Sequence, residues 1–206
     1  MLQAGPVTRG GTAAYDGLTD LPELVARAVA VAREQTFDLS CRPEQGRLLQ
    51  VLARGCTGGL IAETGTGCGV GLAWMVSATG PDTTFVSVEQ NGLRARAAQA
   101  LFASFGNVTV VHGDWKEIRG RAPFDLLVLD GGGQGKGEEA PIDPANGWLR
   151  PGGTVVIDDF TPRTGWPPMH ANDIDRARLY WLEHHALLTT ELRLTTDTAT
   201  LIGTIK

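Results

Sequence analysis

Ile61-Ala62-Glu63-Thr64-Gly65-Thr66-Gly67-Cys68-Gly69-Val70-Gly71 places a glycine at every second position directly after a short apolar run. Leu60–Ala62 reads as a strand and Val70–Ala78 as a helix, so the glycines form the turn between them. Glycine there lets backbone approach a ligand closely, and the helix behind it offers free N–H groups. Working outward, the same alternation recurs. Thr84–Val88, Val108–Val111, Phe124–Leu129 and Thr154–Ile157 are short, branched-rich runs, separated by helical patterns over Leu93–Ser104 and, more weakly, Glu138–Leu149. Strands spaced by helices imply right-handed crossovers and a parallel sheet covered on both faces. Upstream, two amphipathic helices are expected over Pro22–Arg33 and from Pro43 to Gly55. Downstream, a Pro-rich loop leads to a helix over Asn172–His184. Leu187–Leu194 and Thr198–Ile205 then alternate around a short polar turn, as in an antiparallel hairpin added to the sheet edge. The expected fold class is α/β: a doubly wound, mostly parallel, seven-stranded sheet with that C-terminal hairpin.

Composition narrows the function classes. The chain has 206 residues, 42% apolar and 20% charged, with 18 Lys plus Arg against 23 Asp plus Glu. This is the profile of one globular domain, expected over residues 21–206 with its N-terminal helices. The first twenty residues have no apolar period and read as a loose arm. A formal charge of −5 without any basic run argues against nucleic acid as partner. No stretch of about 18 apolar residues exists to cross a bilayer, so no membrane partner is expected. Cys41, Cys56 and Cys68 form an odd set without a C-x-x-C pair, which points to ordinary thiols and a cytoplasmic location. Monomer and homodimer are both compatible with these figures.

Chemistry-bearing residues fall at the ends of the expected strands. Glu63 stands two residues before Gly65, and Gly65, Thr66, Gly67 and Gly69 form the loop. Val70 occupies the position where the dinucleotide fingerprint G-x-G-x-x-G needs a small residue, which argues against a nicotinamide oxidoreductase. Glu89, followed by Gln90, closes the second strand, where an acid can accept from both ribose hydroxyls; alone it also suits a solvated strand end. Asp114 and Trp115 follow the third strand as an acid and a ring able to meet an adenine, although Asp114 suits a helix N-cap equally well. Asp130 closes the fourth strand, and Leu149-Arg150-Pro151-Gly152-Gly153-Thr154 leads into the fifth.

The E-x-G-x-G-x-G loop, the acids in this order and the Leu-Arg-Pro-Gly-Gly turn resemble class I S-adenosylmethionine-dependent methyltransferases. Ser40-Cys41-Arg42-Pro43-Glu44-Gln45-Gly46-Arg47-Leu48-Leu49 further resembles the catechol and caffeoyl-CoA type O-methyltransferases. The resemblance implies a Rossmann-like methyltransferase fold, S-adenosylmethionine as cofactor and a small-molecule methyl acceptor. It places Glu63, Gly65, Thr66, Gly67, Gly69, Glu89, Gln90, Asp114, Trp115 and Asp130 at the cofactor. It also implies Mg²⁺ or another divalent cation on Asp130, Asp158 and Asp159; the plainer reading has Asp130 bordering the cofactor and the aspartate pair capping the next segment. A shared ion would acidify and orient the attacking hydroxyl. The family's lysine three residues after the strand-four acid is absent, because Gly133 stands there. Lys136, three further on in Gly-Gly-Gly-Gln-Gly-Lys-Gly, is either an amine delivered by the loop or a solvated lysine. His170 in the loop after strand five is a base, a substrate contact or a surface histidine. Lys136 and His170 are therefore the catalytic candidates. The alternatives are a metal-independent small-molecule methyltransferase and a non-catalytic nucleoside-binding module.

Overall fold

The computed structural model describes residues 10–206. Its strands are β1 (Leu60–Thr64), β2 (Thr84–Glu89), β3 (Val108–His112), β4 (Phe124–Leu129), β5 (Leu149–Phe160), the short β6 (Met169–His170) and β7 (Asp173–Ile174), β8 (Leu187–Arg193) and β9 (Ala199–Ile205). The α-helices are α1 (Glu23–Glu34), α2 (Pro43–Gly55), α3 (Val70–Val76), α4 (Gly92–Phe102) and α5 (Arg176–Glu183). Seven strands form one sheet in the order β3-β2-β1-β4-β5-β9-β8. The pairs among β1 to β5 are parallel, and β9 joins β5 antiparallel before turning back to β8.

Alternation within the strands explains why both faces are covered. Leu126 and Val128 pack with α1, α2 and α3, whereas Leu127 and Leu129 join a second apolar layer with Ile118, Trp148 and Trp181. A strand buried on both sides has no polar face to show, hence the continuous apolar runs. The order reverses between β1 and β4, so the loops after these two strands part and leave a crevice at the sheet's carboxyl edge.

Three expectations are corrected. Glu138–Leu149 is not a helix. Pro141 and Pro144 remove two backbone donors there, and the segment folds back so that Ile142 N donates to the Gly133 carbonyl at 3.0 Å. The helix expected from Asn172 starts only at Arg176, because Ala171 and Asn172 take positive φ (49° and 72°) in the two-residue turn joining β6 to β7. The expected loose arm is anchored at Gly11, Thr12 and Tyr15, which are buried, and is exposed over Asp16–Asp20, while residues 1–9 lie outside the described residues. Buried Tyr15 donates its hydroxyl to the Cys41 carbonyl (2.8 Å) and accepts from Trp74 Nε1 (2.9 Å), polar anchors that no apolar period reveals. Among the described residues no helix is long and apolar enough to cross a membrane.

Candidate active site

The glycine loop lies where β1 and β4 part. Gly65, at φ +86°, faces Gly131 so closely that a Cβ on it would stand 2.5 Å from the Gly131 nitrogen. Two backbones pass here without side chains. Gly69 has another reason to be glycine: it starts α3 at φ +91°, and a Cβ would meet the Phe102 ring at 2.8 Å. It therefore serves the helix start and packing, and does not border the cleft.

A cleft of about 310 Å³ opens above Gly65 and Gly67, bordered by Glu89, Gln90, Trp115 and Asp130. Asp114 also borders it, and acts as N-cap to the 3₁₀ turn Trp115–Arg121: its carboxylate accepts from Lys116 N (2.9 Å) while Glu117 accepts from Asp114 N (3.0 Å). Asp114 is thus the N-cap that one reading expects, and it stands at the edge of the cleft. The side chains of Glu63, at the end of β1, and of Thr66, in the loop, are buried. Ser87 Oγ donates to Glu63 Oε2 at 2.6 Å and lies 2.5 Å from Thr66 Oγ1. Burial pushes the Glu63 carboxyl up to about 7, with the Glu89 charge adding to the rise and the Ser87 bond opposing it.

Glu89 is almost fully engaged. Its Oε1 accepts from Asn91 N (2.8 Å) and from Arg94 Nη2 (2.8 Å) and Nε (3.2 Å), while Oε2 accepts from Gly67 N (2.8 Å). Arg94 and Phe37, neither of them singled out in the sequence, also line the cleft. Phe37 comes from the connector between α1 and α2, which carries no local signal of its destination. Arg94 sits five residues beyond Glu89, in the first turn of α4, a spacing that can return a guanidinium to the strand end.

Asp130, Asp158 and Asp159 converge, with one carboxylate oxygen of each lying within 4.8 Å of the others. Asp159 takes φ +66°, turning the end of β5 toward the crevice. Burial, then the charges of Asp158, Asp159 and Glu63, holds the Asp130 carboxyl well above the usual carboxylate range. Burial and the Asp159 charge push Asp158 up to about 7. Such a set of hard oxygen donors, destabilised in its ionised form, fits a hard divalent cation.

A second cavity of about 370 Å³ adjoins the first, lined by Lys136, Asp159, Phe160, His170, Ile174 and Arg176 among others. Asp159 borders both cavities. Lys136 is not a loose loop lysine. Its Nζ donates to the carbonyls of Asp158 and Asp159 (2.7 Å to the latter) and stands 3.9 Å from the centroid of Phe160. Desolvation of its ammonium lowers the Lys136 pKa, against the pull of the surrounding aspartates. Gln134, unremarked in the sequence, donates from Nε2 to the Leu129 carbonyl (2.7 Å), and its own carbonyl accepts from Trp181 Nε1 (2.8 Å).

Comparison with known proteins places this geometry. Residues 62–160 match the profile of a family described as "Methyltransferase domain". A protein of Mycobacteroides abscessus named "Putative O-methyltransferase" is 33% identical over 165 residues, an alignment that covers 71% of this chain and 72% of the relative. The chain belongs to the family of these O-methyltransferases. A relative of the same name from Mycobacterium sp. strain JLS is 30% identical over 141 residues, and the alignment spans 62% of that relative's length. The fold of this methyltransferase is shared by the O-methyltransferase TomG of Streptomyces achromogenes, solved with SAM, at a TM-score of 0.70 and 23% identity over 95% of each chain. It is shared as well by an O-methyltransferase of Bacillus cereus solved with SAH, at a TM-score of 0.69 and 19% identity over 95% of this chain and 96% of that one.

Proposed function

We propose that this methyltransferase transfers a methyl group from S-adenosylmethionine to a hydroxyl oxygen of a small acceptor bearing two adjacent oxygens, with a divalent cation held by Asp130, Asp158 and Asp159. The observation that carries the reading is the position of Asp159, which borders both cavities and belongs to the three-carboxylate cluster. Cofactor and acceptor then meet over one set of acids. When bound, the sulfonium methyl offers an electrophilic carbon and the cation supplies Lewis acidity to the acceptor oxygens.

The chain's own residues do the rest. The side-chain-free crossing of Gly65 and Gly131 admits a ligand against backbone, and Glu89 offers a ribose hydroxyl its Oε2. Trp115 walls the cleft with a ring suited to adenine, and Asp114 and Gln90 stand at its polar rim. Lys136 holds the Asp158–Asp159 corner through their carbonyls, which keeps the acidic cluster aimed at the junction of the cavities. His170 is a group of the second cavity that can take the acceptor's proton, whereas the Lys136 amine is engaged as a donor. Phe160 and Ile174 present apolar surface to the acceptor's body.

Calorimetry with S-adenosylhomocysteine, with and without Mg²⁺, combined with methyl transfer to catechol, tests the reading. Micromolar binding, worth about −8 kcal/mol, is expected, with a monomethylated product formed only when divalent cation is present. Cofactor binding with metal-independent turnover would favour a metal-free methyltransferase; cofactor binding without turnover on any diol would favour a nucleoside-binding module.

A further inference from the structure

We infer that Arg94 is a positioning residue for the cofactor's ribose, and that it makes Glu89 a single-point acceptor. The inference rests on the ribose role proposed for Glu89.

The argument starts from acceptor counting. A carboxylate oxygen has two lone pairs in its plane, and Glu89 Oε1 already receives three N–H groups, two of them from Arg94. That oxygen has nothing left for a ribose. Among the described residues Oε2 receives only Gly67 N, so one acceptor position remains, on the oxygen held against the glycine loop. The carboxylate is locked at both ends: turning it would break bonds to Asn91, Arg94 and Gly67 together. Only an arginine can do this from one side chain, because its Nε and Nη2 form a rigid fork, whereas a lysine is a flexible point donor.

Arg94 also closes a circuit around the cleft. Its guanidinium lies 5.0 Å from the centroid of Phe37. The Phe37 ring in turn presses on Gly67, where a Cβ would stand 2.8 Å from the ring. Gly67 N returns to Glu89 Oε2. Glu89, Gly67, Phe37 and Arg94 therefore fix one another, and all four border the cleft. Removing the guanidinium frees Oε1 and lets the carboxylate turn, while the Phe37 ring keeps its packing against Gly67. A ribose would then meet a mobile carboxylate in place of a fixed single acceptor.

The test measures binding of adenosine, 2′-deoxyadenosine, 3′-deoxyadenosine and 2′,3′-dideoxyadenosine to the full chain by calorimetry. In the unsubstituted protein one monodeoxy analogue should bind about tenfold more weakly than adenosine and the other within about threefold, because only one hydroxyl finds an acceptor on Glu89. Arg94→Gln should erase this inequality, while its affinity for 2′,3′-dideoxyadenosine stays within about threefold of the parent's. Arg94→Lys should be intermediate, and it carries the test if Arg94→Gln melts below the assay temperature. If Arg94→Gln weakens all four ligands equally, Arg94 is only a wall and the inference is overturned; preserved discrimination overturns it too. Equal binding of all four by the unsubstituted protein would remove Glu89 from the ribose, and the inference with it. Micromolar S-adenosylhomocysteine binding alongside either result would leave the cofactor reading standing.

Discussion

Replacing Asp158 by asparagine should stabilise the metal-free protein at pH 8 and flatten its pH dependence. Asp158 is 6% exposed, and its carboxyl is raised from 3.8 to about 7 by burial and by Asp159. A folded-state value above the unfolded one means that the native chain holds the proton more tightly. The stability this contributes is complete below pH 3.8 and is lost as pH rises toward 7. The full rise corresponds to about 4 kcal/mol at roughly 1.4 kcal/mol per tenfold change in proton affinity. Part of that cost belongs to the whole cluster, so the variant should recover about 2 to 4 kcal/mol at pH 8. For a domain of this size that is roughly 4 to 16 °C in Tm. Glu63, raised from 4.5 to about 7, adds a loss of the same sign that the variant retains, so a shallower slope should remain.

The assay is thermal or urea unfolding between pH 5 and pH 8, with chelator and then with saturating Mg²⁺ or Mn²⁺. The parent protein should lose stability toward pH 8 with chelator present. At 100 times its Kd a divalent cation should restore about 2.7 kcal/mol, and the response should be sharply reduced in Asp158→Asn. Metal-free stability that is level or rises from pH 5 to pH 8 would refute the reasoning, as would an Asp158→Asn variant no more stable than its parent at pH 8.

Glu89→Ala should weaken S-adenosylhomocysteine by about 1.5 to 3 kcal/mol in calorimetry, through loss of a charge-assisted acceptor and of the bonds that hold Gly67 and Arg94. Gly65→Ala should lower Tm, because its methyl would stand 2.5 Å from the Gly131 nitrogen and a left-handed backbone costs a non-glycine residue about 1 to 2 kcal/mol; an unchanged Tm would show that the two backbones have room to part. Lys136→Ala should reduce turnover on an active diol by less than about a hundredfold with cofactor affinity intact, and Lys136→Arg should recover much of the loss. A ten-thousandfold loss in both would make Lys136 an indispensable base.

The sheet was legible in the sequence because buried parallel strands leave a dense local record. Phe124–Leu129 is a strand of the same bounds in both readings, since an aromatic start and an aspartate end leave little room for slippage. The fifth strand, expected over Thr154–Ile157, spans Leu149–Phe160. Pro151-Gly152-Gly153 looks like a pure turn, yet its flank at Leu149 pairs with Phe124 across a register shift. The acids at the strand ends were legible for the same reason as the strands, and their convergence follows from parallel topology. The connector carrying Phe37, the Arg94 fork and the Gln134 bonds were not. Each is decided by which distant segment the side chain meets, and no local period encodes that.

Lys136 illustrates how a chain can depart from its family's spacing and keep an amine at the site. Three glycines follow Asp130, and the first lies against Gly65. Their freedom lets the chain turn away over the cleft before Gln134 pins it to the ends of β4 and β5 and Trp181 ties it to α5. Lys136 then reaches the end of β5 from the side of the second cavity and bonds the Asp158 and Asp159 carbonyls. Further along, Glu139 accepts from Trp115 Nε1 (3.0 Å) and Lys116 Nζ (2.7 Å) beside the first cleft. The segment is thus a strap fastened at both cavities, and the entropy of ordering so many glycines is offset by anchors spaced along it. An amine bonded in this way organises carbonyls, which is a different task from removing a proton.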